Sequence, residues 1–161
     1  MSVVVLELEG TFVLSSSLHI ETSSPGVRYN YYEGTWKHIP NFDSLTVQRS
    51  DIIGQFAIPE KNSGEDFAVL YSGYIKIPAD GLYTFYANSD DGAILLIDNA
   101  IVVDNDGQHA PKEESGTIML KSVFHKIQVR FFQASGGKVL DISFNGPGFV
   151  KQIIPSRMLC H

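Results

Sequence analysis

A chain of 161 residues, 43% hydrophobic and 19% charged, has room for one domain with a substantial core and not for two full ones. Its formal charge of -6 and its lack of any Lys/Arg cluster exclude a nucleic-acid groove, because phosphates demand a basic face. The apolar run Val3 to Leu8 is broken by Glu7 and has no basic segment before it, so it reads as neither a signal peptide nor a membrane insertion.

In chain order, residues 1 to 24 end in the Ser/Thr-rich stretch HIETSSPG and read as an N-terminal strand and linker, the remnant of a preceding domain. The domain proper is expected over 25 to 161. From there the dominant period is two rather than 3.6. The segments AVLYSGYIKIP, GLYTFYAN, AILLID, AIVVD and GTIML are short apolar runs parted by Gly, Pro, Asn and Asp, at the spacing of sandwiches and barrels. In FHKIQVRFF, Ile127, Val129 and Phe131 alternate with Lys126, Gln128 and Arg130, and in KVLDISFNG Leu140, Ile142 and Phe144 alternate with Asp141 and Ser143. No stretch offers a long amphipathic helix. The reading is all-β and antiparallel, with tight reversals expected at Asp98-Asn99 and around Pro78 and Gly81, where the residues tolerate or supply positive φ.

One turn carries more than a turn needs. YTFYANSDDGAILLIDN sets Asp90 beside Asp91 before Gly92, although a single short polar side chain and a glycine suffice to reverse a chain. Four blocks surround it in register: GVRYNYYEGTW (26 to 36), GYIKIPADGLYTFYANSDDGAILLID (73 to 98), VVDNDGQH (102 to 109) and HKIQVRFFQASGGKVLDISFNGPG (125 to 148). Over roughly residues 25 to 158 they resemble the PA-fourteen domain, named after the toxin component protective antigen. The resemblance implies an antiparallel β-sandwich or barrel used as a module of larger extracellular proteins, among them glycoside hydrolases, adhesins, flocculins and toxins. In its lectin-like members two adjacent Asp residues joined by a cis peptide bind calcium, which then binds sugar hydroxyls, and Asp90 and Asp91 match that pair. It further implies Gln133 as an amide ligand, where fungal lectins have Asn, with backbone carbonyls of Ser135 and Gly137. The physics of such a site is intelligible, since neighbouring strand side chains point to opposite faces and reach one ion only if the backbone departs from strand geometry. A hard divalent cation taking six to eight oxygens compensates that departure.

Other candidates have plainer readings. Asp104, Asn105 and Asp106 lack the spacing and terminal Glu of an EF-hand and read as a structural turn near the Asp pair. His109 and His125 have no second nitrogen or sulfur ligand at metal spacing, and His125 is expected to satisfy a backbone partner. Cys160, the lone cysteine, has no base beside it and no partner for a disulfide. Tyr29, Tyr31, Tyr32 and Trp36 suit sugar stacking, but alternate aromatics in a β protein are more often core. A glycosidase needs two carboxylates flanking a cleft, which adjacent Asp residues cannot do and the surface pair Glu113-Glu114 does not. The expectation is a non-catalytic, secreted, periplasmic or cell-surface module that binds glycan through calcium and accompanies a glycoside hydrolase catalytic domain. The alternatives are a structural module without its own sugar or metal, and an adhesin domain. No segment specifies the sugar.

Overall fold

The computed structural model describes residues 24–60 and 64–161, so the expected N-terminal strand and linker lie outside the described residues save for Ser24. Alternating apolar positions resolve into two antiparallel sheets. The first is built from β1 (Val27–Glu33), β2 (Arg49–Ile53), β3 (Phe67–Lys76), β5 (Ala93–Ile97), β6 (Ala100–Asn105) and β8 (Phe124–Gln133), in the order β2-β1-β3-β8-β5-β6, with the short β11 (Leu159–Cys160) also on β3. The second runs β10-β9-β4-β7, from β4 (Gly81–Ser89), β7 (Lys112–Leu120), β9 (Leu140–Gly146) and β10 (Phe149–Ile153). The helical segments among the described residues are two 3-10 turns, Phe42–Ser44 and Ser156–Met158.

The in-facing half of each strand makes the core. Phe67, Val69 and Tyr71 of β3 and Ile127, Val129 and Phe131 of β8 meet Tyr83 and Phe85 of β4 and Ile142 and Phe144 of β9 across the sandwich. Large aromatics dominate, and each such side chain fully removed from water contributes about 1.5–3 kcal/mol. Tyr83 stacks on Phe144 at 6.3 Å, and Phe67 meets Phe131 edge-on at 6.0 Å. At the end of β8 the alternation breaks, because Phe131 and the next residue Phe132 are both buried. Phe132 faces outward, yet the chain between β1 and β2 crosses that outer face and builds a second cluster there with Tyr32, Phe42, Ala68 and Ala134, against which Trp36 packs. The aromatic group of β1 is thus divided: Tyr29 and Tyr31 serve the main core, Tyr32 and Trp36 the outer cluster.

The two expected reversals behave differently. At Asp98-Asn99 both residues have positive φ, 48° and 68°, and join Ile97 to Ala100 in a tight hairpin. The Asp98 carboxylate accepts from the His125 ring (2.8 Å) and from the Lys126 amide (3.0 Å), and the other His125 nitrogen lies 2.9 Å from the Lys121 carbonyl. That buried imidazole ties the turn to the start of β8. Around Pro78 and Gly81 the chain does not form a hairpin: β3 and β4 belong to different sheets, and the segment is a corner. Its Asp80 carboxylate accepts from Lys121 Nζ and the Ser122 amide across the gap. At the same pole the two ends of the described fold meet, with the Gly26 amide donating to the Leu159 carbonyl and the His161 amide to the Ser24 carbonyl. Cys160 is buried in that join.

Gly116, opposite Phe85 on β7, shows how closely the second sheet approaches β6: a Cβ there would run into the Val102 carbonyl. Gly116→Ala is expected to cost about 1–3 kcal/mol through overpacking, whereas Gly64→Ala, whose Cβ meets nothing within 4 Å, leaves thermal unfolding within experimental error. Paired melting curves check this.

Candidate functional site

At the pole opposite the chain ends, three connections carry the chain between the sheets: residues 90–92 from β4 to β5, 106–111 from β6 to β7, and 134–139 from β8 to β9. Backbone hydrogen bonds stitch them together. The Asp90 amide donates to the Val139 carbonyl (3.0 Å), the Asp91 amide to the His109 carbonyl (3.0 Å), and the Phe132 amide to the Gly92 carbonyl (3.0 Å). A cavity of about 340 Å³ opens between them, walled by Asp90, Asp91, His109, Pro111, Ser135 and Gly137. The structure therefore gathers the expected residues, with Gln133 entering from beneath as the last residue of β8.

Both carboxylates are buried, at 5% and 4% exposure, and Gln133 is wholly so. The backbone departs from strand geometry as the two adjacent side chains require, but by a different route from the one expected: no peptide bond among the described residues is cis, and Asp91 instead takes the left-handed region at φ 60°. Asp91 Oδ2 accepts from the Ala134 amide (2.8 Å) and from Gln133 Nε2 (3.3 Å). Asp90 sits against Gly137, where a Cβ would come within 2.6 Å of its Oδ2, so that glycine lets the loop lie directly on the carboxylate. Gly92 is needed for a similar reason, since a Cβ there would strike the Phe132 ring. Burial and the adjacent Asp91 charge raise the pKa of Asp90 above the ordinary carboxylate value, with His109 opposing them.

Among the described residues no three His, Cys, Asp or Glu side chains surround one point. A cation at this cavity must take its remaining oxygens from amides and carbonyls. One oxygen is conspicuously free to help, because Gln133 Oε1 is buried and has no hydrogen-bond partner among the described residues. Its NH2 group points instead toward Asp91 Oδ2 and, at 3.4 Å, the Ser135 carbonyl. An NH2 donor thus stands between two of the oxygens that a cation would take, and turning that amide over would bring Oε1 to the same place. Amide orientation follows from the surrounding donors and acceptors, and a cation at that place would favour the turned-over amide. The donor set fits a hard, oxygen-seeking ion.

Three further residues support the site, of which sequence reasoning missed Ser89. His109 lines the cavity, but its ring nitrogens face the Ala110 carbonyl (2.9 Å) and the Asn105 carbonyl (3.0 Å), so it is a wall and not a ligand. Ser89 donates to the Asp91 carbonyl (2.7 Å). Asp106 clasps the outer segment, accepting from the Ile39 amide (2.7 Å) with His38 at 3.3 Å, as befits a structural turn. A larger open hollow of about 590 Å³ beside β10, lined by Gly146, Phe149, Val150 and Gln152, has no ionisable group in its wall.

Two antiparallel sheets packed face to face, with sheet-changing loops gathered around an Asp pair at one pole, define the class as a β-sandwich domain. The PA14 domain pattern matches residues 23–156, and the chain belongs to the PA14 domain family. Over 140 residues the chain is 26% identical to anti-sigma-I factor RsgI3 of Acetivibrio thermocellus, covering 83% of this chain and 21% of that protein. Its fold superposes with a TM-score of 0.72 at 22% identity on an anti-sigma factor domain-containing protein from Clostridium clariflavum, covering 84% of this chain and 47% of the other. With a TM-score of 0.70 at 12% identity it also matches the A domain of epithelial adhesin 6 from Candida glabrata in complex with Galb1-3GlcNAc, over 89% and 90% of the two chains. At these identities the structures speak to fold. The chain spans a fifth of its curated relative.

The Asp90 shift gives a pH prediction. A carboxyl whose folded pKa lies above its unfolded value, about 3.9, adds stability below that value and loses it as pH rises through the folded one. In chelator, Asp90→Asn should therefore melt higher than the parent at pH 7, with the gap closing toward pH 3. Differential scanning calorimetry across that range checks it, and a pH-independent gap would show that the charge is not what strains the site.

Proposed function

We propose that this chain is a non-catalytic carbohydrate-binding module that holds a calcium ion at Asp90 and Asp91 and presents it to glycan hydroxyls. The observation that carries this reading is the pair of adjacent buried carboxylates with the Gln133 side-chain amide against one of them, because buried like charges are costly unless a cation balances them, and the amide turned over offers that cation an oxygen. Gln133 Oε1 and the carbonyls of Ser135 and Gly137 join the two carboxylates as its ligands. Bound there, the ion supplies open coordination positions that exchange water for sugar hydroxyls. The chain's own residues do the rest: Gly137 lets the loop close on Asp90, the Ala134 amide fixes one Asp91 oxygen, and His109 and Pro111 wall the cavity that a sugar would enter.

PA14 domains are typically extracellular or cell-surface modules, and no helix among the described residues is long and apolar enough to cross a membrane. The curated relative favours an anti-sigma factor as the parent protein. A glycoside hydrolase or an adhesin is the alternative parent. A structural module without metal or sugar is the competing function.

Calcium should raise the melting temperature, since a ligand that binds only the folded state stabilises by RT ln(1 + [L]/Kd), about 2.7 kcal/mol at a hundredfold excess over Kd. Asp91→Asn should abolish that response and retention on a glycan array together while the chain stays folded, because an amide oxygen still accepts from Ala134. A calorimetric titration flat up to about 10 mM calcium, past the range of weak extracellular modules, would favour the structural module instead.

A further inference from the structure

We propose that Ser89 and Asn105, neither of which lines the cavity, are the positioning residues that set the direction of the Asp91 carboxylate; the inference rests on the calcium reading above. Both are buried, Ser89 completely and Asn105 at 2% exposure. Asn105 closes β6 and Ser89 closes β4, so they meet where the two sheets hand the chain across.

The protons in this contact can be assigned by elimination. Asn105 Nδ2 lies 3.2 Å from the Ala87 carbonyl, 2.9 Å from the Lys112 carbonyl and 3.1 Å from Ser89 Oγ. Two of these are acceptors only, so the group facing them is the NH2, whose two protons are shared among the three oxygens and whose nitrogen accepts nothing from Ser89. A hydroxyl has one proton, and that of Ser89 is thereby left for the Asp91 carbonyl, 2.7 Å away. A second route returns to the same residue: the Asp91 amide donates to the His109 carbonyl, and the His109 ring faces the Asn105 carbonyl at 3.0 Å. Both polar groups of the Asp91 backbone are thus tied to Asn105, one through Ser89 and the other through His109.

That closed circuit answers a definite need. Asp91 holds φ 60°, a region that non-glycine residues enter at a cost and keep only when their surroundings fix it. The turn 90–92 is also held at Asp90 by the Val139 carbonyl and at Gly92 by the Phe132 amide, but the backbone of Asp91 between them is held by the circuit. A carboxylate that must share an ion with its sequence neighbour cannot swing, and groups behind metal ligands typically matter 10–100-fold in affinity.

The test compares Ser89→Ala and Ser89→Thr with the parent chain, using calcium alone as the probe. Calorimetric titration reads the Kd, and hydrogen exchange in chelator reads the amides of residues 90–92 against those of β4. Ser89→Ala is expected to weaken calcium by at least about tenfold and to speed exchange at 90–92 while β4 stays protected; Ser89→Thr, which keeps the hydroxyl, should restore both. Unchanged exchange at 90–92 in Ser89→Ala overturns the proposal, as does faster exchange with unchanged affinity, or a loss of protection spread evenly along β4. Should Ser89→Thr fail to fold, Asn105→Ala read the same way takes its place. If the parent itself binds no calcium the functional reading fails, and the exchange in chelator still decides whether Ser89 fixes the turn.

Discussion

Two carboxylates adjacent in sequence and both withdrawn from water repel each other in a medium that screens poorly, and much of this molecule is organised around keeping them there. Neither can escape by rotating outward, because Gly137 lies on Asp90 and the Ala134 amide grips Asp91. The clamps come from three connections at one pole, and those connections are at one pole because β4, β6 and β8 all end there before the chain changes sheet. Sandwich topology is therefore what turns an unfavourable pair of charges into a fixed device. The aromatic core supplies the rigidity: Phe131 and Phe85 sit within a few residues of the loops that carry the charges.

How far the sequence revealed this can be read from individual residues. Alternation named the in-facing side chains of β8 and β9 correctly, because a sheet with one face on the core writes its geometry at period two. Asp98-Asn99 announced its hairpin, since few residues accept two successive positive φ values. Pro78 and Gly81 announced a bend but not its kind; local turn chemistry is the same whether the next strand returns beside its neighbour or crosses to the other sheet. The consecutive buried pair Phe131-Phe132 was opaque for a related reason: only the long-range passage of residues 34–45 over the outer face makes the second phenylalanine interior.

The site was legible as residue types and not as bonds. Asp90, Asp91 and Gln133 stood out because nothing local required them, and the family resemblance said what such a set is for. The route by which the backbone brings the Asp pair together was expected at the peptide bond and was found at Asp91 φ. Ser89 gave no signal at all and Asn105 only that of a turn near the Asp pair, since their link exists only once the fold sets them 3.1 Å apart. The shape of the cavity is likewise unwritten, because Asp90, Asp91, His109, Pro111 and Ser135 come to one wall from three separate connections.

The join of Gly26 with Leu159 and of His161 with Ser24 has a consequence for a module that spans only part of its relatives. Polypeptide flanking this fold enters and leaves through a single pole, side by side, while the acidic cavity occupies the far pole of the sandwich. Such a unit can be spliced into a host as a pendant, adding its height without lengthening the host's own path. Its mouth then lies at the end away from the paired chain ends, and tension applied at those ends would load the join near Cys160 before it reached the loops that hold Asp91.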